Sequence, residues 1–465
     1  MSRQLAIDLV TTSFDDGYFQ QTMEQRIALH TESQRPESLP ILYQYLKELI
    51  VPKLEGMGFT WKIIDNSIPG CSPFLLAERI EEEAAGTLLT YGHGDVVNGY
   101  DNQWKEGLSP WKLTIDGDVW YGRGTADNKG QHTINLLALE AVLKAREGRL
   151  GYNIKILLEM GEEAGSQGLH AFCREYAQAL SADLLIASDG PRLSAASPTM
   201  FLGSRGAVNF DFRINSRPGG HHSGNWGGVL SNPGIRMAHA IASLVTDKGQ
   251  VLAKKLLPES LPDSVRQALK TIEVGTDPTA PPIDLAWGEP GLSPAEQLFG
   301  WNTFEVIAFK TGNPDNPVNA IPGNAYAMCQ IRYVVGTDNR NFVKHIREHL
   351  DAHGFSDVEV KQNGEEAIAT RLDPDSPWVK WGLDSMQRTT GKIPSLLPNL
   401  GGSLPNDAFA EILELPTVWI PHSYPACSQH AANEHLLGSV AREALQLMAG
   451  VLWDLGDDFE RLKTH

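Results

Sequence analysis

Hydrophobic positions recur along this chain with two different periods. Short apolar runs occur at Phe74-Leu-Leu-Ala77, Thr87-Leu-Leu-Thr-Tyr91, Ile154-Lys-Ile-Leu-Leu158 and Leu184-Leu-Ile-Ala187. Runs of that length, bounded by polar residues, predict buried strands. Between the second and third, Ile134, Leu137, Ala138, Ala141, Val142 and Ala145 fall on one face of a helix. Residues 15–57 predict helices, with Leu42, Leu46, Ile50 and Leu54 at helical spacing and Pro52 placed to kink or break the second one. Alternating strand and helix signals predict an α/β fold with a mostly parallel central sheet flanked by helices.

The pattern changes near Ser204. Ala207-Val-Asn-Phe-Asp-Phe-Arg-Ile214 alternates in part with period two, and Tyr326-Ala-Met-Cys-Gln-Ile-Arg-Tyr333 does the same. Both predict half-exposed antiparallel strands. Between them, Asp277-Pro-Thr-Ala-Pro-Pro282 predicts a loop, because three prolines in six residues interrupt any regular element. This region predicts a smaller α+β unit.

Composition narrows the classes. At 465 residues the chain exceeds one compact core. Its formal net charge of -18 repels phosphate backbones and anionic membrane surfaces, so neither nucleic acid nor membrane is an expected partner. The four cysteines, Cys71, Cys173, Cys329 and Cys427, are scattered without a Cys-x-x-Cys pair. That predicts reduced thiols in a cytoplasmic protein and argues against a thiolate zinc site. The first residues lack a signal-peptide pattern, and no apolar run is long enough to span a bilayer.

Chemistry enters with five metal-type ligands in chain order. They are His93 in Gly92-His-Gly-Asp95, Asp127 in Gly124-Thr-Ala-Asp-Asn-Lys-Gly130, Glu163 in Gly161-Glu-Glu-Ala-Gly165, Asp189 in Ser188-Asp-Gly190, and His430 in Gln429-His-Ala-Ala-Asn-Glu434. Two imidazoles and three carboxylates suit a pair of zinc-like ions sharing one carboxylate. Each motif alone has an ordinary reading as a turn, a helix cap or a surface histidine. The set gains weight because His93, Glu163 and Asp189 each follow a predicted strand, and ligands of open α/β sheets bind beyond strand carboxyl ends. Glu162 is spare in the ligand count and free to act as a base. Asp95, two residues from His93, is placed to orient its imidazole. Because His430 must return to this site, residues 205–371 are read as an insertion into a domain made of 1–204 and 372–465.

At this point the chain resembles a known family, the dizinc aminoacylase/carboxypeptidase/dipeptidase metallopeptidases. The resemblance rests on Gly92-His-Gly-Asp-Val96, Trp120-Tyr-Gly-Arg-Gly-Thr-Ala-Asp-Asn-Lys-Gly130, Gly161-Glu-Glu-Ala-Gly-Ser-Gln-Gly-Leu169, His222-Ser-Gly224 and Gly401-Gly-Ser-Leu-Pro405. It implies a catalytic domain with an inserted lid that carries a homodimer contact. It implies that His93 and Asp189 hold one divalent ion, Glu163 and His430 the other, and Asp127 both, with a cis peptide after Asp127. The ions are expected to be Zn2+, with Mn2+ or Co2+ compatible with the same donors. Glu162 is the implied general base toward a scissile amide, Asp95 the residue that orients His93, and His222 in the lid the implied oxyanion donor. Arg332, Asn319, Gly401 and Gly402 are the implied contacts to a substrate carboxylate. Asp at position 189 and the Gly-Glu-Glu-x-Gly-Ser-x-Gly-Leu spacing resemble the carnosinase-type dipeptidase branch, so short peptides with a free carboxylate are the expected substrates. Pro421-His-Ser-Tyr-Pro-Ala-Cys427 departs from that branch by lacking a Gly-rich lead-in to His430.

Three other readings share some of these features. An N-acyl amino acid amidohydrolase uses the same scaffold, but Asp189 speaks against it. A two-metal phosphoesterase needs arginines or lysines around the site, and these motifs carry few. A non-catalytic scaffold protein requires a lost ligand or base, and none is missing.

Overall fold

The computed structural model describes residues 2–276 and 280–463. The central sheet has eight strands. Its middle is parallel: Asn153–Glu159, Thr87–His93, Leu184–Ala187 and Thr417–Trp419 lie side by side. Thr60–Ile64 and Phe74–Arg79 add antiparallel strands beyond Asn153–Glu159. Thr199–Phe201, antiparallel to Thr417–Trp419, and Ser395–Leu397 complete the other edge. All four predicted strands are present.

Successive side chains of these strands point to opposite faces, so one apolar run feeds two cores. Leu88, Ile156, Leu184 and Val418 pack under the helices Arg3–Asp15, Lys129–Ala145 and Gly438–Lys463. Leu89, Leu157, Leu185 and Trp419 face Phe172, Phe299 and Phe409 on the other side. The predicted helix after Asp127 is therefore the Lys129–Ala145 helix, nearly all of it buried.

The N-terminal helices differ from expectation. The first starts at Arg3, where the Ser2 side chain accepts the Leu5 N–H and caps it. The helix carrying Leu42 to Leu54 is continuous but widens to a π turn over Tyr45–Ile50. Pro52 has no N–H to give a carbonyl in the preceding turn, and this is where the ladder loosens.

A second, antiparallel sheet has the order Thr303–Thr311, Asn324–Tyr333, Gly206–Asn215, Glu359–Ala367. The two period-two runs are its inner strands. Helices Pro233–Leu244 and Phe342–Ala352 cover one face with Met237, Leu244, Ile346 and Leu350. Not all of the chain between residues 205 and 371 packs on this sheet. Helices Asp263–Leu269 and Pro294–Gly300 return to the central sheet, where Val265, Leu269 and Phe299 join Leu397 and Leu400. Of the proline-rich loop read at 277–282, positions 277–279 lie outside the described residues.

Candidate metal centre

The four parallel strands end at one edge, and each delivers part of a cluster there. His93 closes its strand. Glu162 and Glu163 follow Asn153–Glu159 in a short 3-10 turn, and Asp189 comes two residues after Ala187. His430 lies in the loop after Thr417–Trp419, with its backbone in the left-handed region at φ 59. Asp127 immediately precedes the Lys129–Ala145 helix, and the Asp127–Asn128 peptide is cis.

Two groups of three donors result, with donor atoms of each group within 4.8 Å of one another. One is His93, Asp127 and Asp189; the other is Asp127, Glu163 and His430. His93 Nε2 lies 3.1 Å from Asp127 Oδ1 and 3.5 Å from Asp189 Oδ2. His430 Nε2 lies 3.0 Å from Asp127 Oδ2 and 3.0 Å from Glu163 Oε2. Asp127 thus turns one oxygen to each imidazole. The first group is fully buried, whereas the His430 side chain is 54% exposed. Glu162 Oε2 stands 3.9 Å from His93 Nε2, outside both groups.

The surroundings fix these side chains. His93 Nδ1 is 3.1 Å from the Asp95 carbonyl and 3.3 Å from its Oδ1, so an Nδ1–H donated there leaves the Nε2 lone pair facing Asp127. The same Asp95 carboxylate accepts the backbone N–H groups of Glu162 and Glu163 at 3.2 and 3.0 Å. One buried aspartate therefore sets the position of the first imidazole and of both glutamates. Glu434 does the same for Asp127. It accepts the N–H groups of Gly124, Ala126 and Asp127 and the Arg123 guanidinium. Gln429 donates to Asp127 Oδ2.

The charges need a cationic partner. Burial, and then the neighbouring Asp127, push the Glu163 carboxyl up to about 7 and Asp189 up to about 6. Burial also raises Glu162 well above its ordinary value, with Asp189, Glu163 and Asp127 adding repulsion and His93 opposing it. Hydrogen bonds to Asp127 and Glu163 raise His430 to about 11. Burial alone would raise Asp127, but its bonds from His430 and His93 hold it below the usual carboxylate range. Glu163 Oε1 and Asp189 Oδ2 are buried without a hydrogen-bond donor. Buried, unpaired carboxylate oxygens beside imidazole lone pairs are the chemistry of a divalent-cation site, so the residues present fit a metal pair.

The predicted substrate contacts gather elsewhere. Arg332 Nη1 donates to Ser403 Oγ and its Nε to Gln330. Ser403 Oγ in turn donates to the Arg205 carbonyl, and the Arg205 guanidinium donates twice to the Gly401 carbonyl. The loop holding Gly401 and Gly402 is thus joined to Arg332 through Arg205. His222 and Asn319 lie together on the lid, exposed, where the His221–His222 strand pairs with Ala320–Ile321. Among the described residues, no hydrogen bond or ion pair ties His222 to the carboxylate cluster; its Nδ1 accepts the Gly224 N–H. Sequence reasoning assigned no role to Glu434, Gln429 or Arg205. For Glu434 a faint signal existed, since it stands four residues after His430 in the same polar segment.

This chain is similar to several known proteins. Residues 89–454 match the model of peptidase family M20/M25/M40. The chain is 32% identical to Beta-Ala-His dipeptidase of Mus musculus, over 90% of this chain and 89% of that protein. It is 26% identical to cysteinylglycine-S-conjugate dipeptidase of Corynebacterium striatum, over 69% and 70%. Among solved structures, the M20 family metallo-carboxypeptidase Sso-CP2 of Sulfolobus solfataricus superposes with TM-score 0.76 at 25% identity, covering 94% of this chain and 98% of its own. By the extent of the family match and the identity to a relative of nearly the same length, this chain belongs to peptidase family M20/M25/M40.

Proposed function

We propose that this protein is a dinuclear metallopeptidase that hydrolyses the amide bond of dipeptides and other short peptides. The observation that carries the reading is the pair of donor groups that share Asp127. Its dipeptidase relatives support the substrate class. His93, Asp127 and Asp189 would hold one ion, and Asp127, Glu163 and His430 the other. Zinc suits two imidazoles and three carboxylates, and manganese or cobalt suit the same donors. When bound, such ions supply Lewis acidity toward a carbonyl oxygen and make water a nucleophile near neutral pH.

The rest is done by the chain. Glu162 is the base: it lies against the cluster without belonging to either donor group, and its raised affinity for protons suits it to take one and return it to the leaving amine. Asp95 keeps His93 in one tautomer and holds the Glu162 backbone in place. Arg332, with Gly401 and Gly402 beside it, would meet a substrate carboxylate if its bond to Ser403 opened.

We further propose a homodimer through the lid. Thr303–Thr311 is an edge strand with Val306, Ile307 and Phe309 exposed, a surface suited to a second copy. His222 and Asn319, which do not reach the cluster of their own chain, would then complete the partner's site. No helix among the described residues is long and apolar enough to cross a membrane, and four unpaired cysteines support a cytoplasmic location. The test is a hydrolysis screen of dipeptides against N-acyl amino acids, with metal content measured on the same sample. Turnover of dipeptides that chelation abolishes is the expected result; turnover confined to N-acyl amino acids would overturn it.

A further inference from the structure

A 690 Å3 cavity opens beside Glu162, between the central sheet and the lid. One wall is the helix Leu169–Glu175, which starts shortly after Glu163. It presents His170 and Arg174 to the cavity, one turn apart and so on the same face. The lid contributes Glu365 and Glu366 from an irregular stretch of its edge strand, and Asp407 lies behind His170.

The charges here are not equivalent. His170 Nε2 is 3.1 Å from Asp407 Oδ2, with Asp407 buried and the imidazole 44% exposed. That bond fixes the ring and leaves Nδ1 without a partner among the described residues. It also holds His170 above its ordinary value, with Arg174 opposing and Glu365 adding to the rise. Glu366 is engaged by the Tyr333 hydroxyl and by Asn339 Nδ2. Glu365 and Arg174 make no hydrogen bond or ion pair with any described residue. The helix wall thus offers two donors to one cavity, one oriented by a buried aspartate and the other an unpaired guanidinium, while Glu366 and Asp407, two of the four acidic side chains that line it, are already engaged. A carboxylate reaching this wall would find a charge-assisted pair.

We infer that His170 and Arg174 form a carboxylate-binding subsite of the cleft, so that peptides bearing a carboxylate at that point are preferred substrates. The inference rests on the dipeptidase reading and names a substrate class for it. Arg332 is not among the side chains that line this cavity; its donors face Gln330 and Ser403, and Ser403 is at the cavity's rim. The carboxylate is supplied either by an acidic side chain or by the free C-terminus.

The test is steady-state hydrolysis by the metal-loaded enzyme of Ala-Glu, Glu-Ala, Ala-Gln, Gln-Ala and Ala-Gln-amide. Wild type is compared with Arg174→Gln, at an exposed position, and with His170→Gln, at a half-buried one, with the unfolding midpoint of each variant measured alongside. The expected result is a KM raised by about 10-fold or more for carboxylate-bearing peptides in Arg174→Gln, a smaller rise in His170→Gln, and kcat little changed. A rise confined to Glu peptides assigns the side chain as the source. A rise shared by all free peptides and absent from the amide assigns the C-terminus. Equal effects on every peptide, or none, would overturn the subsite. If the wild type cleaves no dipeptide, the dipeptidase reading fails by itself. Calorimetry with an Ala-Glu analogue whose amide is reduced to an amine then decides the subsite: weaker binding to Arg174→Gln upholds it, and equal binding rejects it.

Discussion

Glu162 and Glu163 are chain neighbours with different surroundings. The Glu163 carboxylate meets His430 at 3.0 Å as part of a donor group, whereas Glu162 stands 3.9 Å from the nearest imidazole and outside both groups. Glu162→Gln is therefore predicted to keep both metal ions and substrate affinity while kcat falls by about 100-fold or more. Metal analysis and steady-state kinetics on one sample check this; loss of metal with little loss of kcat per loaded site would exchange the two roles. The proton affinities give a second prediction. In the metal-free protein His430 is held at about 11, Glu163 at about 7 and Asp189 at about 6. Ions bind the deprotonated donors, so uptake at pH 7 must release protons, chiefly from His430 and partly from Glu163. Lowering the pH from 8 to 6 adds protons to Glu163 and then to Asp189, so metal affinity must fall across that window. Calorimetry in buffers of different ionisation enthalpy reads the release directly; a buffer-independent heat would contradict it. At this scale, His93, Glu163 and Asp189 were legible because each follows an apolar strand and Asp127 because it precedes a helix, whereas His430 lies in a loop with no local pattern and was read only as part of the ordered set. Glu434 was not legible, because its partners Gly124 and Ala126 lie about 310 residues away in the chain, where no local pattern reports them.

The loop before the Lys129–Ala145 helix shows how one element depends on another. Arg123 and Glu434 are each 1% exposed and joined at 2.7 Å, and Glu434 also gathers three backbone N–H groups around Asp127. Removing one partner of such a pair leaves a buried charge without compensation. Glu434→Ala is predicted to cost about 3–5 kcal/mol in urea unfolding and to weaken metal binding, because the Asp127 backbone loses its anchor. An unchanged unfolding midpoint would mean that the loop is held otherwise. Strands with short, mostly apolar runs of four or five residues were legible, as was the long helical face through Ile134 and Val142. Thr60–Ile64 was missed because its first three residues are exposed. Thr199–Phe201, Ser395–Leu397 and Thr417–Trp419 have three residues each, too few to show a period, and are strands only because the sheet beside them offers hydrogen bonds. The return of Val265 and Phe299 to the central sheet was equally illegible, since helical periodicity states that a face is apolar and not what covers it.

At the scale of the whole molecule, the carboxylate cluster sits at the edge of the central sheet and His222 in the smaller antiparallel pair, and no hydrogen bond or ion pair among the described residues joins them. If two copies meet through the lid, His222→Ala and Glu162→Gln proteins, each inactive alone, should regain activity on mixing, because a hybrid dimer holds one site with both wild-type residues. No recovery despite demonstrated subunit exchange would mean that His222 does not serve the partner's site. The central claim lies deeper, in the sharing of Asp127 between two donor groups, one fully buried and one open to solvent at His430. The measurement that tests it most directly is the number of divalent ions per chain, by native mass spectrometry, in wild type, His430→Ala and Asp127→Ala. The account predicts two ions in the wild type, one in His430→Ala and neither held tightly in Asp127→Ala. A single ion in the wild type, or an Asp127→Ala protein that still binds two, would contradict it.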